Sequence, residues 1–299
     1  MKELITYVHR TNILNKNDEI DTKKIEKLYE RNLISIYMWK NEEKKDMQDF
    51  IKLYNGEIIS NASAYVSKFF NLYKDAKNNN VLVYAKYYGK TSKLGLVKSD
   101  DQLIVIEDES RIFYCLKLEN TKEITQSDYP LLETLIPYYS TVSKVKKGRE
   151  KLISIFYKEP LALKAENLSA TAAELLCSEW LRSECCNIDD IRIKYLKMPV
   201  GGNNAVFDIL GKAVKENADV ICQVTTSNNT QTIIKKMEAL SKINSDQITY
   251  KKVMFGEAKK TEITNNYDIT YISIQDVFED FERNECSDFK DLIYFLINR

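Results

Sequence analysis

A single histidine, His9, serves all 299 residues of the chain. That removes two-histidine metal centres. It also makes any Ser-His-Asp or Cys-His mechanism depend on a residue whose neighbours, Tyr7, Val8 and Arg10, lend it no support. Hydrolytic chemistry here must run on carboxylates, amides, lysines and a bound metal. The six cysteines (115, 177, 185, 186, 222 and 286) show no CxxC spacing and no paired framework. Cys185 and Cys186 are sequence neighbours, a poor arrangement for a structural disulfide, so a reducing, cytoplasmic compartment is expected and zinc is not. Cys185, Cys186 and Cys222 read as small core or edge residues.

Two neighbouring apolar stretches each carry one polar side chain of interest. In Val206-Phe207-Asp208-Ile209-Leu210-Gly211, an acid stands at the end of an apolar run before a glycine, as if closing a strand at a turn. Residues 218–227 then form a second apolar run. Side chains alternate along a strand, so Gln223 and Thr225 share one face while Cys222, Val224 and Thr226 take the other. If the two strands pair, Gln223 lies beside Asp208. Residues 230–243 follow as a helix with Ile233, Met237 and Leu240 on its apolar stripe and Lys236 next to that stripe. Upstream, Thr171-Ala172-Ala173-Glu174 opens another helix. Its spelling is that of a capping box in which Glu174 returns to the Thr171 amide.

From about Leu161 to Arg299 this order resembles the PD-(D/E)XK nucleases, in which one strand delivers an Asp and its neighbour Glu-x-Lys or Gln-x-Lys to the same edge. The resemblance implies a Mg²⁺ site, with Mn²⁺ as a substitute, built from the Asp208 carboxylate, the Gln223 amide oxygen and the Val224 main-chain carbonyl. It makes Asp208, Gln223 and Glu174 catalytic candidates, Glu174 being the second carboxylate that the family often takes from the helix before the sheet. One departure stands out. The family's lysine position is Thr225, so the charge has to come from elsewhere. Lys236 on the following helix is the first choice, with Lys235 and Lys212 behind it.

The elements that must position these groups fall into two domains, the natural expectation for this length. Residues 1–145 and 150–299 are expected to form them, with the charged, glycine-containing stretch 143–151 as linker. The fold class expected is α/β (α+β). The first domain reads as helices at 22–31 and 63–76, then strands at 81–84, 93–98, 102–107 and 111–118, suiting a small twisted sheet or partial barrel. The second reads as a helix at 171–184, strands at 191–198, 205–210 and 220–226, a helix at 230–243, strands at 251–256 and 269–274, and a helix at 275–283. That is a mixed sheet flanked by helices, restriction-endonuclease-like in order. No apolar run approaches the ~20 residues of a membrane span, and Met1-Lys2-Glu3-Leu4 does not open a signal peptide.

Residues 81–98 resemble the strand–turn–strand of the N-terminal domains attached to Mrr-type restriction nucleases, with Leu94-Gly95-Leu96-Val97 as the second strand. The turn offers Lys86, Lys90 and Lys93 with Tyr84, Tyr87 and Tyr88. Cations suit phosphates and aromatic faces suit bases, so Lys86, Tyr87, Tyr88, Lys90 and Lys93 are the DNA-binding candidates. A solvated lysine-rich hairpin with core tyrosines is the competing reading. The balance of 44 basic against 44 acidic residues neither favours nor excludes nucleic acid, since clustering decides. The expected activity is a Mg²⁺-dependent DNA endonuclease of restriction or defence type acting on double-stranded DNA, with or without a modified base, and a homodimer would supply the two sites that a double-strand cut needs. The alternatives are a catalytically inactive nucleic-acid-binding protein on a degenerate nuclease fold, and an interaction protein with no nucleic-acid role.

Overall fold

The computed structural model describes residues 4–15, 17–40, 45–57, 63–98, 102–132, 141–145, 148–198, 206–215, 217–263, 266–283 and 287–299. The chain forms two compact units of mixed α/β (α+β) structure, one from residues 1–130 with 136–160, the other from 131–135 with 161–299. The break thus falls later than the stretch 143–151 that looked like a linker. Val142–Lys144 there is a strand, β8, and Arg149–Tyr157 a helix, α4, both belonging to the first unit. Val142 lies in that unit's core, which a charge count along 143–151 does not reveal. Among the described residues no helix is long and apolar enough to cross a membrane.

In the first unit, β1 (Ile5–Thr11) runs parallel to β3 (Val81–Tyr87), and the sheet order is β7-β4-β3-β1-β8, with β4 at Ser92–Val97 and β7 at Glu119–Ile124. A second, antiparallel sheet has the order β2-β6-β5, from Leu33–Trp39, Arg111–Lys117 and Ile104–Glu107. These are two open sheets, within the expected choice of a small twisted sheet or a partial barrel, and among the described residues neither closes into a barrel. Helix α1 (Thr22–Glu30) starts where the Asp21 side chain accepts from the Lys24 amide, and α3 (Ala64–Asn78) starts at Ser63 in the same way. Between them lies α2 (Lys45–Tyr54). Val66, Phe69, Leu72 and Ala76 turn one face of α3 into the core. Val66, Phe69 and Leu72 each contribute roughly 1.5–3 kcal/mol on burial.

The second unit has one five-stranded sheet, β13-β12-β11-β10-β9. Its strands are β9 (Ile193–Met198), β10 (Ile209–Ala213), β11 (Ala218–Thr225), β12 (Thr249–Gly256) and β13 (Thr270–Ser273). The β9–β10 and β10–β11 pairs are antiparallel, whereas β11–β12 and β12–β13 are parallel. Strand β11 is buried along its whole length. Its alternate residues Val220, Cys222 and Val224 pack with α5 (Ala170–Arg182), α7 (Ile274–Arg283) and α8 (Ser287–Asn298). Ile221 packs instead with Ile233, Met237 and Leu240 of α6 (Thr230–Ser241). Cys177, Cys186 and Cys222 are buried free thiols. Cys185 is buried too but disulfide-bonded, against the expectation drawn from its adjacency to Cys186.

Two expectations need correction here. The strand expected at 205–210 begins at Ile209 and runs to Ala213, so Asp208 precedes it and Gly211 sits inside it (position 205 lies outside the described residues). Gly211 is glycine because β9 approaches closely: a Cβ there would meet Ile193 Cγ2 at 2.9 Å. Helix α5 is capped by Ser169, whose Oγ accepts from the Ala172 amide at 3.1 Å. Thr171 is therefore already helical, and Glu174, the fifth residue of α5, is too far along to close a capping box.

Candidate active site

Antiparallel pairing places the start of β10 beside the end of β11, with Ile209 opposite Cys222. The Asp208 amide extends the ladder by donating to the Cys222 carbonyl at 2.8 Å. Its carboxylate then folds over the strand end. Oδ2 accepts from the Val224 main-chain amide at 2.7 Å and from the Gln223 side-chain amide. Gln223 Nε2 also lies 3.3 Å from the Val224 carbonyl. Gln223, Val224 and Thr225 are all buried, so this corner is partly withdrawn from water.

Lysine reaches the corner from α6. Asn229 caps the helix by accepting from the Gln231 and Thr232 amides at 3.0 and 3.2 Å. Burial of Ile233, Met237 and Leu240 fixes its rotation about its axis. Lys236, beside that stripe, is half-buried and donates to the Val224 carbonyl at 3.4 Å, whereas Lys235 points to solvent. Lys212 is engaged at the other end of the strand, where it donates to Asn217 Oδ1 at 2.6 Å and lies 3.5 Å from Asp219. The buried Asp219 carboxylate also holds Lys197 at 2.6 Å. This clamp ties β9 and β10 to β11, and no spacing in the sequence announces it. Thr225 brings no charge.

Glu174 approaches from α5. Its Oε2 is buried and, among the described residues, has no hydrogen-bond partner. Burial pushes its carboxyl up to about 7, and the Asp208 charge adds to that, while the Lys236 ammonium pulls the other way. Asp208 is also raised, by burial, against the opposing pull of the Val224 amide and Lys236. These mutual influences put Glu174, Asp208 and Lys236 within electrostatic reach of one another, together with Gln223 and the Val224 carbonyl. Among the described residues no three His, Cys, Asp or Glu side chains form a metal cluster. A cation here would rest on two carboxylates plus amide and main-chain oxygens. These are hard oxygen donors of the kind a divalent ion takes, and the buried Glu174 oxygen without a hydrogen-bond partner is the observation that accords with such an ion.

The hairpin expected to bind DNA is largely committed to the first unit's own packing. Tyr87 is buried and donates to the Leu33 carbonyl at 3.1 Å. Lys93 is buried as well. Its ammonium donates to the Tyr29 carbonyl at 2.8 Å and Asn32 Oδ1 at 2.7 Å, and sits 3.6 Å from the centre of the Tyr29 ring. Lys90 is ion-paired with Glu26, Lys86 is half-buried, and only Tyr88 offers an exposed ring. Tyr87 and Lys93 are therefore withdrawn as DNA contacts. His9 is fully buried, with Nδ1 3.2 Å from Thr11 Oγ1, and burial lowers it to about 4. It is a neutral core histidine. No family model, curated protein or solved structure matches this chain.

Proposed function

We propose that the second unit is a PD-(D/E)XK-type nuclease domain and that the protein is a Mg²⁺-dependent DNA endonuclease of restriction or defence type. The observation that carries this reading is Lys236. It comes from the helix after β11 to the strand end that also holds Asp208, Gln223 and the Val224 carbonyl, and so makes good the charge that Thr225 lacks. Asp208, Glu174, the Gln223 amide oxygen and the Val224 carbonyl would hold Mg²⁺, or Mn²⁺ in its place. When bound, such an ion lowers the pKa of a coordinated water and offsets charge on the phosphodiester. Lys236 contributes a fixed ammonium where phosphate charge grows. The Val224 amide keeps the Asp208 carboxylate aimed at the same point. Apolar packing from α5 and α6 limits water at the corner.

The substrate of this reading is double-stranded DNA, with or without a modified base. A homodimer would supply two sites, and the cytoplasm is the compartment, although the Cys185 disulfide pulls against a reducing one. The test is incubation of modified and unmodified phage DNA with Mg²⁺, Mn²⁺ or EDTA. Nicking that needs the metal and is lost in Asp208→Asn supports the reading, and its absence with every substrate and metal sinks it. A second reading, a nucleic-acid-binding protein on a degenerate nuclease fold, is favoured by the Gln223 amide, which turns its nitrogen toward Asp208. DNA binding without cleavage would select it.

A further inference from the structure

Gln223 lies two residues before the end of β11 and is itself buried, so its stem has little room to leave the corner. Its amide is engaged at the nitrogen. Nε2 donates to Asp208 Oδ2 and lies 3.3 Å from the Val224 carbonyl oxygen, to which Lys236 also donates at 3.4 Å. An ionised carboxylate only accepts, so the amide atom that faces Asp208 has to be the donor. The Gln223 oxygen is therefore turned off that line, although it is the atom assigned above to Mg²⁺. Oδ2 has two lone pairs, and the Val224 main-chain amide and Gln223 Nε2 engage them both. The main-chain amide is fixed by the strand. The side-chain amide is not, because the last torsion of a glutamine is broad and roughly two-fold. Half a turn about Cγ–Cδ exchanges nitrogen for oxygen and leaves the stem in place.

We propose that Gln223 is a latch on this corner: its amide nitrogen holds Asp208 Oδ2 and the Val224 carbonyl together, and the amide turns over, donor for acceptor, to admit a divalent cation. This rests on the metal set of the nuclease reading, and it makes Gln223 a positioning residue. The nitrogen that faces Asp208 then belongs to that reading as well as to its rival. The test is side-chain amide NMR of the full-length protein, with the Gln223 pair identified by its loss in Gln223→Glu. In EDTA one proton of the pair should lie downfield of solvated amides, and it should move back toward them in Asp208→Asn, where the acceptor loses its charge. Saturating Mg²⁺ should move it back in the wild type too. A pair that stays put while Mg²⁺ shifts the Val224 main-chain signal, in a protein that nicks DNA, would overturn the latch alone. A pair that turns in a protein that nicks nothing would support the latch and count only against the nuclease reading. No response to Mg²⁺ anywhere would overturn the latch together with its metal set. Gln223→Glu supplies an acceptor without turning, so its Mn²⁺ affinity, read from the free ion by electron paramagnetic resonance, should rise at least roughly tenfold. Its melting temperature in EDTA should fall, because two carboxyls then face each other, and Mn²⁺ should restore it. A Glu variant that binds Mn²⁺ no more tightly than wild type would also overturn the latch.

Discussion

Lys236 reaches back from the second turn of α6 to the carbonyl of Val224, twelve residues earlier in the chain, at 3.4 Å. The strand end that presents the Asp208 carboxylate thus carries its own counter-charge from a different element. If that charge serves catalysis, Lys236→Met should keep most of the stem and its packing while cleavage slows on the order of 10²–10³-fold. Lys235→Met, about 100° away around the helix, is the control and should cleave normally. Single-turnover cleavage with Mg²⁺ measures both, and equal rates in the two variants would remove Lys236 from the site.

Asp208 should separate chemistry from structure. Asp208→Asn retains an acceptor for the Val224 amide but loses the charge, so cleavage should vanish with little change in melting temperature. Asp208→Ala leaves that buried amide unpaired and should also cost about 1–3 kcal/mol of stability. Normal Mg²⁺-dependent activity in the Asn variant is the outcome that excludes this corner as the active centre.

His9 gives a clean pH experiment because no second histidine titrates. Its folded value, about 4, lies below the ordinary 6.5, with burial as the main cause and the Ser35 main chain offsetting only part. The unfolded chain therefore binds more protons across that window, and the contribution is complete above about pH 6.5 and lost as pH falls toward 4. Urea denaturation of wild type against His9→Leu should show a stability difference that shifts against wild type by at most about 3 kcal/mol from pH 7 to 4. The single imidazole resonance should stay neutral down to pH 5. A midpoint near 6.5 would mean the ring is not buried.

Lys93 should behave as a structural residue. Lys93→Ala removes the donor to Asn32 Oδ1 and leaves the Tyr29 carbonyl with main-chain donors alone, and should destabilise the first unit by roughly 1–3 kcal/mol. The salt dependence of any DNA binding should not move. A shallower slope in a variant that still melts like wild type would restore the hairpin as a phosphate contact.

What could be read from the sequence follows how local its causes are. Strand β11 and helix α6 were legible because alternation and a three-residue stripe are local signals, and Lys236 was legible from its place beside that stripe. Glu174 was ambiguous because Thr171-Ala-Ala-Glu spells a cap, and only the competing cap at Ser169 frees it for the site. The start of β10 is not legible, because Gly211 looks like a turn while its real cause is Ile193, eighteen positions away and pressed against it. Lys93 misled for the same reason. Its acceptors lie more than sixty residues upstream, and a buried lysine is indistinguishable in sequence from a solvated one.

The arrangement of β10 and β11 bears on how the corner forms. They are an antiparallel pair joined through residues 214–217, whereas β11 must wait for its parallel neighbour until the chain has passed through residues 226–248. Closing a short loop costs less entropy than closing a long one, and local pairs form sooner. The bond from Val224 to Asp208 spans only sixteen residues and lies within this hairpin. The carboxylate is therefore seated by a contact about as local as the one that delivers the lysine, since Lys236 lies twelve residues from Val224, and both precede the pairing of β11 with β12. Mutations along residues 209–225, or on the face of α6 that packs on β11, should slow refolding, while those in β12 and β13 should mainly speed unfolding.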